Sequence, residues 1–188
     1  TSSLSITEMS EGLAHPGRLV GFHFFNPVAV MPLLEIITGA HTDDTALATA
    51  FAMGKNLKKT CILVKDSPSF IVNRLLGRFM AEAGKVVDEG TPIETSDAAF
   101  AGLTPMPPFV LLGLVGPAVA LHNNETLARA FPDRFYVPEG IKRIVEAGRT
   151  SFYTLTATGM AVDPAVVELV GTPEHPTPSS VEQVRDRV

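Results

Sequence analysis

The chain has 188 residues, of which 45% are hydrophobic and 19% charged, enough to bury the core of one domain and part of another and too apolar for a disordered chain. A net charge of -5 and a pI near 5.5 leave no basic face for nucleic acid or an anionic membrane. A single cysteine, Cys61, excludes an intramolecular disulfide and a cysteine-rich zinc site and fits a reducing, cytoplasmic setting.

Leu4 to Ile6 form a short apolar stub. Thr7 with Glu8 predicts a small capped helix carrying Met9 and Leu13 inward, broken by His15-Pro16-Gly17. Leu19 to Phe25 and Leu33 to Ile37 read as short buried strands, with Asn26-Pro27 and Met31-Pro32 as breakers. If they pair antiparallel about Ala29, His23 faces Glu35 with Cβ atoms about 5 Å apart. A histidine on such a strand is, by itself, more often a hydrogen-bonded core residue than a base. A glutamate between Leu34 and Ile36 changes the balance, because buried carboxylates are almost always paired. The competing reading is a structural ion pair at a sheet edge.

Thr42 can cap a helix running to about Lys58, with Leu47, Phe51, Gly54 and Leu57 at helical spacing, and Cys61 to Val64 follows as another buried strand. This pattern is mixed α/β, the tail of a doubly wound sheet. From Ser67 onward it becomes helical. Ser67 as N-cap and Pro68 at the first position predict a helix to about Glu89, with Val72, Leu75, Leu76, Phe79, Ala83, Val86 and Val87 on one face. Thr91-Pro92 opens a shorter helix to about Ala101. Pro108 opens an apolar one that Pro117 restarts or kinks, and Pro138 to Ala147 is the next. Residues 156–188 are dense in Gly, Pro, Thr and Ser, as in Gly171 to Pro178, and read as a linker, after which Ser180 and Gln183 form a capping box for a further helix.

No apolar run is long enough to span a membrane, and no secretory signal is visible. No Gly-x-Gly-x-x-Gly, Walker loop or His-Glu-x-x-His is present either. His15, His41, His122 and His175 read as structural or solvated. A start at Thr1 is expected of a truncated or processed chain, and the helix opening at Ser180 implies a polypeptide continuing past Val188.

Four stretches in order, Thr1-Ser2-Ser3-Leu4, Gly21-Phe22-His23-Phe24-Phe25-Asn26-Pro27, Leu34-Glu35-Ile36 and Lys65-Asp66-Ser67-Pro68-Ser69-Phe70-Ile71-Val72-Asn73-Arg74-Leu75-Leu76, resemble successive motifs of the L-3-hydroxyacyl-CoA dehydrogenases. Phe131 to Pro138 and Arg149 to Tyr153 resemble the multifunctional fatty-acid oxidation enzymes, in which a hydratase precedes the dehydrogenase and a second helical repeat follows it. The resemblance implies that residues 1–66 are the C-terminal part of an NAD-binding Rossmann domain, 67–155 a helical substrate-binding and dimerisation domain, and 156–188 a linker and the start of the second repeat. It also implies oxidation of L-3-hydroxyacyl-CoA to 3-ketoacyl-CoA with NAD in β-oxidation. By the same resemblance His23 is the general base and Glu35 the carboxylate that orients it. Ser2 contacts substrate and cofactor, Asn73 binds the thioester end of the substrate, and Asn26 lies near the cofactor.

Ser69 departs from the family in standing where glycine is usual, and Pro107 in standing where Met-Gly-Pro-Phe is typical. Without the glycine-rich loop, the isolated chain is expected to be inactive. Expected partners are the acyl-CoA substrate and either a second copy or the second helical repeat. The alternative function is a non-catalytic helical dimerisation or docking module.

Overall fold

The computed structural model describes residues 4–157 and 159–188. The chain forms two compact units that divide between Arg74 and Leu75.

The first unit is built on β1 (Gly21–Phe24), β2 (Leu33–Thr38) and β3 (Thr60–Lys65), in the order β1-β2-β3. β1 and β2 are antiparallel with Gly21 opposite Ile37 and His23 opposite Glu35, the register that the two proline breakers imply. β2 and β3 are parallel, joined by α2 (Asp44–Asn56). Strand β2 is central, and Leu34, Glu35, Ile36 and Ile37 are all fully buried. Side chains on a strand alternate between faces. Leu34 and Ile36 pack with Ala50 of α2, while Ile37 packs on the other face with Ile6, Val64 and Phe70. His23 and Glu35 belong to that second face. Gly54 lets α2 lie close on the sheet, since a Cβ there would overlap Cys61 Sγ and sit 3.0 Å from Leu34 Cδ2.

Three local expectations for this unit change. Helix α1 (Ile6–Ser10) starts earlier than read and buries Ile6 and Ser10, whereas Met9 and Leu13 are exposed. The carboxylate of Asp66 accepts from Ile6 N, Thr7 N and Ser5 Oγ, and so fixes the helix start from sixty residues away. Helix α2 is capped by Asp43, whose side chain accepts from Ala46 N at 2.6 Å; Thr42 instead bridges Gly39 N and Leu19 O. Ser67 and Pro68 do not open the long helix. It begins at Val72, after Ser69 and Phe70 take φ of 60° and 50°.

That helix, α3 (Val72–Asp88), runs into the second unit, followed by α4 (Ile93–Ala98), α5 (Pro108–Val115), α6 (Pro117–Ala130) and α7 (Glu139–Glu146). Pro117 restarts the helix, because Gly116 between α5 and α6 has a φ of 96°. The face that α3 buries is Gly77, Met80, Ala81, Ala83, Gly84, Val86 and Val87, and Leu75 is exposed. Met80, Ala83 and Val87 pack with Phe109, Leu112, Ile141, Ile144 and Phe152.

The linker reading fails for part of its span. An antiparallel hairpin, β4 (Tyr153–Thr156) with β5 (Gly159–Val162), leads into α8 (Pro164–Val170), and Val162, Val166 and Val170 lie in that same core. Asp163 accepts from Ala165 N and Pro164 occupies the first helical position, a start signal that the surrounding Thr and Gly obscure. Helix α9 (Val181–Arg187) opens on the expected box of Ser180 and Gln183, and its Val184 packs against Val86, Ala99 and Phe100.

Candidate functional site

Strand β1 carries His23 into the interior, where it is 6% exposed. Its imidazole meets the edge of Phe25, with centroids 4.9 Å apart and planes at 86°, and the tilted ring of Phe70 at 5.5 Å. Glu35 is its Cα partner on β2 and therefore on the same face. The Oε1 atom of Glu35 accepts from Ile71 N at 3.1 Å and Val72 N at 3.0 Å, the orphan donors at the start of α3. Its Oε2 atom is buried and has no hydrogen-bond partner among the described residues. A carboxylate at a helix N-terminus is favoured by the dipole as well as by these donors.

In the first turn of α3, Asn73 brings its side-chain amide nitrogen to 3.3 Å from His23 Nε2. With the amide donating, Nε2 is the acceptor and the ring proton sits on Nδ1. The structure thus brings together His23, Glu35 and Asn73 of the sequence-predicted site. Asn26 is exposed in the loop after β1. That loop is tied down by Lys59 Nζ, which donates to Val28 O at 2.5 Å and Met31 O at 2.8 Å. Ser2 lies outside the described residues.

Three further residues support the site and were not singled out from sequence. Phe70 walls one side of the imidazole. Arg74 donates to Pro68 O at 3.0 Å and to Ser67 Oγ, reaching back over the turn before α3. Asp66 fastens α1 to the end of β3. Burial pushes the carboxyl of Asp66 up, but the hydrogen bonds from Thr7, Ser5 and Ile6 prevail and hold it below the usual carboxylate range. All three residues stand in the Lys65 to Leu76 motif, so their positions were marked even though their contacts were not.

A buried imidazole with an open carboxylate across the sheet suits proton abstraction. Imidazole as a group can take up a proton near neutral pH, and a carboxylate close by stabilises an imidazolium. Among the described residues no group of three or more His, Cys, Asp or Glu could hold a metal ion. An open cleft of about 450 Å³ between Phe22 and α2 lies on the opposite face of the sheet from His23 and has no part in this chemistry.

Residues 1–67 match the family model described as 3-hydroxyacyl-CoA dehydrogenase, NAD binding domain, and residues 70–155 match the corresponding C-terminal domain. The fatty acid oxidation complex subunit alpha of Idiomarina loihiensis is 35% identical over 191 residues, covering 97% of this chain and 27% of that protein. The same subunit of Acinetobacter baylyi is 38% identical over 71% of this chain and 19% of its own length. The chain thus spans about a quarter or less of these relatives.

Among solved structures, (S)-3-hydroxybutyryl-CoA dehydrogenase from Ralstonia eutropha is 38% identical with a TM-score of 0.73, over 79% of this chain and 54% of the other. FadB2 of M. tuberculosis is 34% identical with a TM-score of 0.75 over the same shares, 79% and 54%. The dehydrogenase part of C. elegans multifunctional enzyme 1 is 28% identical with a TM-score of 0.55, over 98% of this chain and 44% of that one. The architecture is a Rossmann-type mixed α/β part followed by a helical part, as the sequence pattern implies. With matched domains over most of its length, the chain belongs to the 3-hydroxyacyl-CoA dehydrogenase family.

Proposed function

We propose that this chain supplies the acid–base pair and part of the substrate site for NAD-dependent oxidation of L-3-hydroxyacyl-CoA to 3-ketoacyl-CoA in fatty-acid β-oxidation. The observation that carries the reading is the buried pairing of His23 with Glu35, with the amide of Asn73 at the imidazole. His23 takes the proton of the substrate's 3-hydroxyl as the C3–H bond gives up its hydride, and the C3–O bond becomes a carbonyl. Glu35 holds the imidazolium by charge. NAD, when bound, accepts that hydride. Asn73 leaves Nε2 to the substrate hydroxyl and turns its amide to the thioester end.

The residues present fit only the reacting end of the dinucleotide. Exposed Asn26 follows β1, three residues beyond buried His23, and is assigned to the cofactor by resemblance. Ser2 is assigned to substrate and nicotinamide by resemblance alone. These 188 residues contain no glycine-rich loop to hold the pyrophosphate. Residues 1–66 serve as the NAD-binding side and 67–155 as the helical substrate side.

A docking role for the helical unit, on a second copy or on a second repeat, is favoured by Leu114 and Val119, which are 71% and 52% exposed at the junction of α5 and α6. No helix among the described residues is long and apolar enough to cross a membrane. The single cysteine supports a cytoplasmic setting.

The test joins this chain behind the corresponding upstream portion of the Ralstonia eutropha enzyme, with acetoacetyl-CoA and NADH as reactants. NADH consumption by the joined protein, absent from the 188-residue chain, is the expected result. A folded joined protein that binds NADH and acetoacetyl-CoA without turnover would leave only the docking role.

A further inference from the structure

Between β3 and α3 the backbone adopts a conformation that its residue types disfavour. Ser69 and Phe70 lie consecutively in the left-handed region, at φ 60° and 50°. There a Cβ crowds the next carbonyl oxygen, and glycine is the usual occupant. Such strain persists where the surroundings over-determine it, and it concentrates at functional sites. Here the surroundings are explicit. Phe70 N donates to Ser67 O at 2.9 Å. Arg74 grips Pro68 O through Nε at 3.3 Å and Nη2 at 3.0 Å, and also holds Ser67 Oγ. Ser69 is fully buried, and Phe70, 2% exposed, packs with Ile6, Ile37 and Val64.

Everything that this turn delivers arrives at the acid–base pair. The Phe70 ring lies against His23, the next two backbone amides bind Glu35 Oε1, and the residue after those presents its amide to Nε2. Phe25 and Phe70 together box the imidazole, leaving little room for rotation about χ2. We propose that the Ser67–Phe70 turn, clamped by Arg74, orients the His23 imidazole, and that Phe70 is the positioning residue. The proposal rests on the reading of His23 as the base. It adds that the orientation is set by a strained turn, since the carboxylate across the sheet spends Oε1 on the α3 amides and Oε2 accepts no hydrogen bond among the described residues. A helix starting directly at Ser67 would place residues 70–73 differently against β1 and β2.

The test uses the 188-residue chain with 15N-labelled histidine, read at a pH where imidazole is neutral. Substitution of His23 assigns its signals. In the native chain, two resolved ring-nitrogen signals are expected, with Nε2 unprotonated. In Phe70→Leu and Arg74→Lys the two signals should move toward their mean, as ring orientations and tautomers mix. The far-UV spectrum and the other histidine signals should stay as in the native chain. Ser69→Gly should keep the native signals, because glycine adopts the same φ without crowding. Native His23 signals in folded Phe70→Leu and Arg74→Lys would overturn the proposal. If Phe70→Leu fails to fold, Arg74→Lys, altered on a half-exposed residue, decides alone. The readout involves neither substrate nor cofactor, so this proposal and the catalytic reading can fail separately.

Discussion

Replacing Glu35 separates its two tasks, because one oxygen serves α3 and the other remains open. In Glu35→Ala, Ile71 N and Val72 N lose their acceptor at a part-buried helix start, and each orphaned donor costs about 1–2 kcal/mol, the lower part of the range for a buried group. Relief of the unpartnered Oε2 offsets part of this, so a net loss of about 1–3 kcal/mol is expected. Glu35→Gln retains a carbonyl acceptor and loses only the charge assistance, about 1 kcal/mol for each of the two bonds. The expected stability order is native, then Gln, then Ala. Urea unfolding followed through the methyl signals of Ile36 and Ile37 reports the first unit. Tyr136 and Tyr153 both lie in the second unit, and their fluorescence follows that part independently. An Ala variant as stable as native would mean that the carboxylate contributes nothing to holding the start of α3.

Asp97 in the second unit accepts from Phe109 N at 2.8 Å in the interior and from the half-buried Tyr153 hydroxyl at 2.5 Å. Asp97→Ala should cost about 3–5 kcal/mol and Tyr153→Phe about 1–2 kcal/mol in thermal unfolding followed by helix signal. Asp66 and Asp97 should contribute to acid response with opposite sign. Asp66 is held below its unfolded value, so its contribution to the first unit is present above that value and is lost as pH falls through the folded one. Burial holds Asp97 above its unfolded value, so its contribution to the second unit is lost as pH rises from the unfolded to the folded value, while Glu89, held down by Arg187, contributes with the other sign. Unit-resolved urea midpoints between about pH 3 and pH 6 show these slopes, and Asp66→Asn should flatten the first. Gly54→Ala should destabilise the first unit by about 1–3 kcal/mol through overlap with Cys61, and Cys61→Ala in the same chain should recover much of the loss.

The His23–Glu35 register was legible because two proline breakers centre the hairpin and one buried face fixes the pairing. The apolar period of α3 was legible as well, but its start was not. Ser67-Pro68 is a sound local cap signal, and it yields to Glu35, a carboxylate 36 residues away that takes the Ile71 amide. Nothing in the identity of Ser69 or Phe70 announces a positive φ, since both residue types avoid it. The contact of Asn73 with His23 depends on that hidden turn. Sequence pattern also passed over β4, β5 and α8. Leu155 is 86% exposed, so the hairpin shows no simple inward alternation, and the Asp163-Pro164 start stands in a Gly- and Thr-rich setting.

Whether His23 is the base is read from kcat for His23→Gln in the joined enzyme, with NADH binding and folding checked alongside. Loss of general base catalysis should lower kcat by about 100- to 10,000-fold at unchanged NADH affinity. A folded variant turning over within about threefold of the parent would contradict the assignment of His23 as the base.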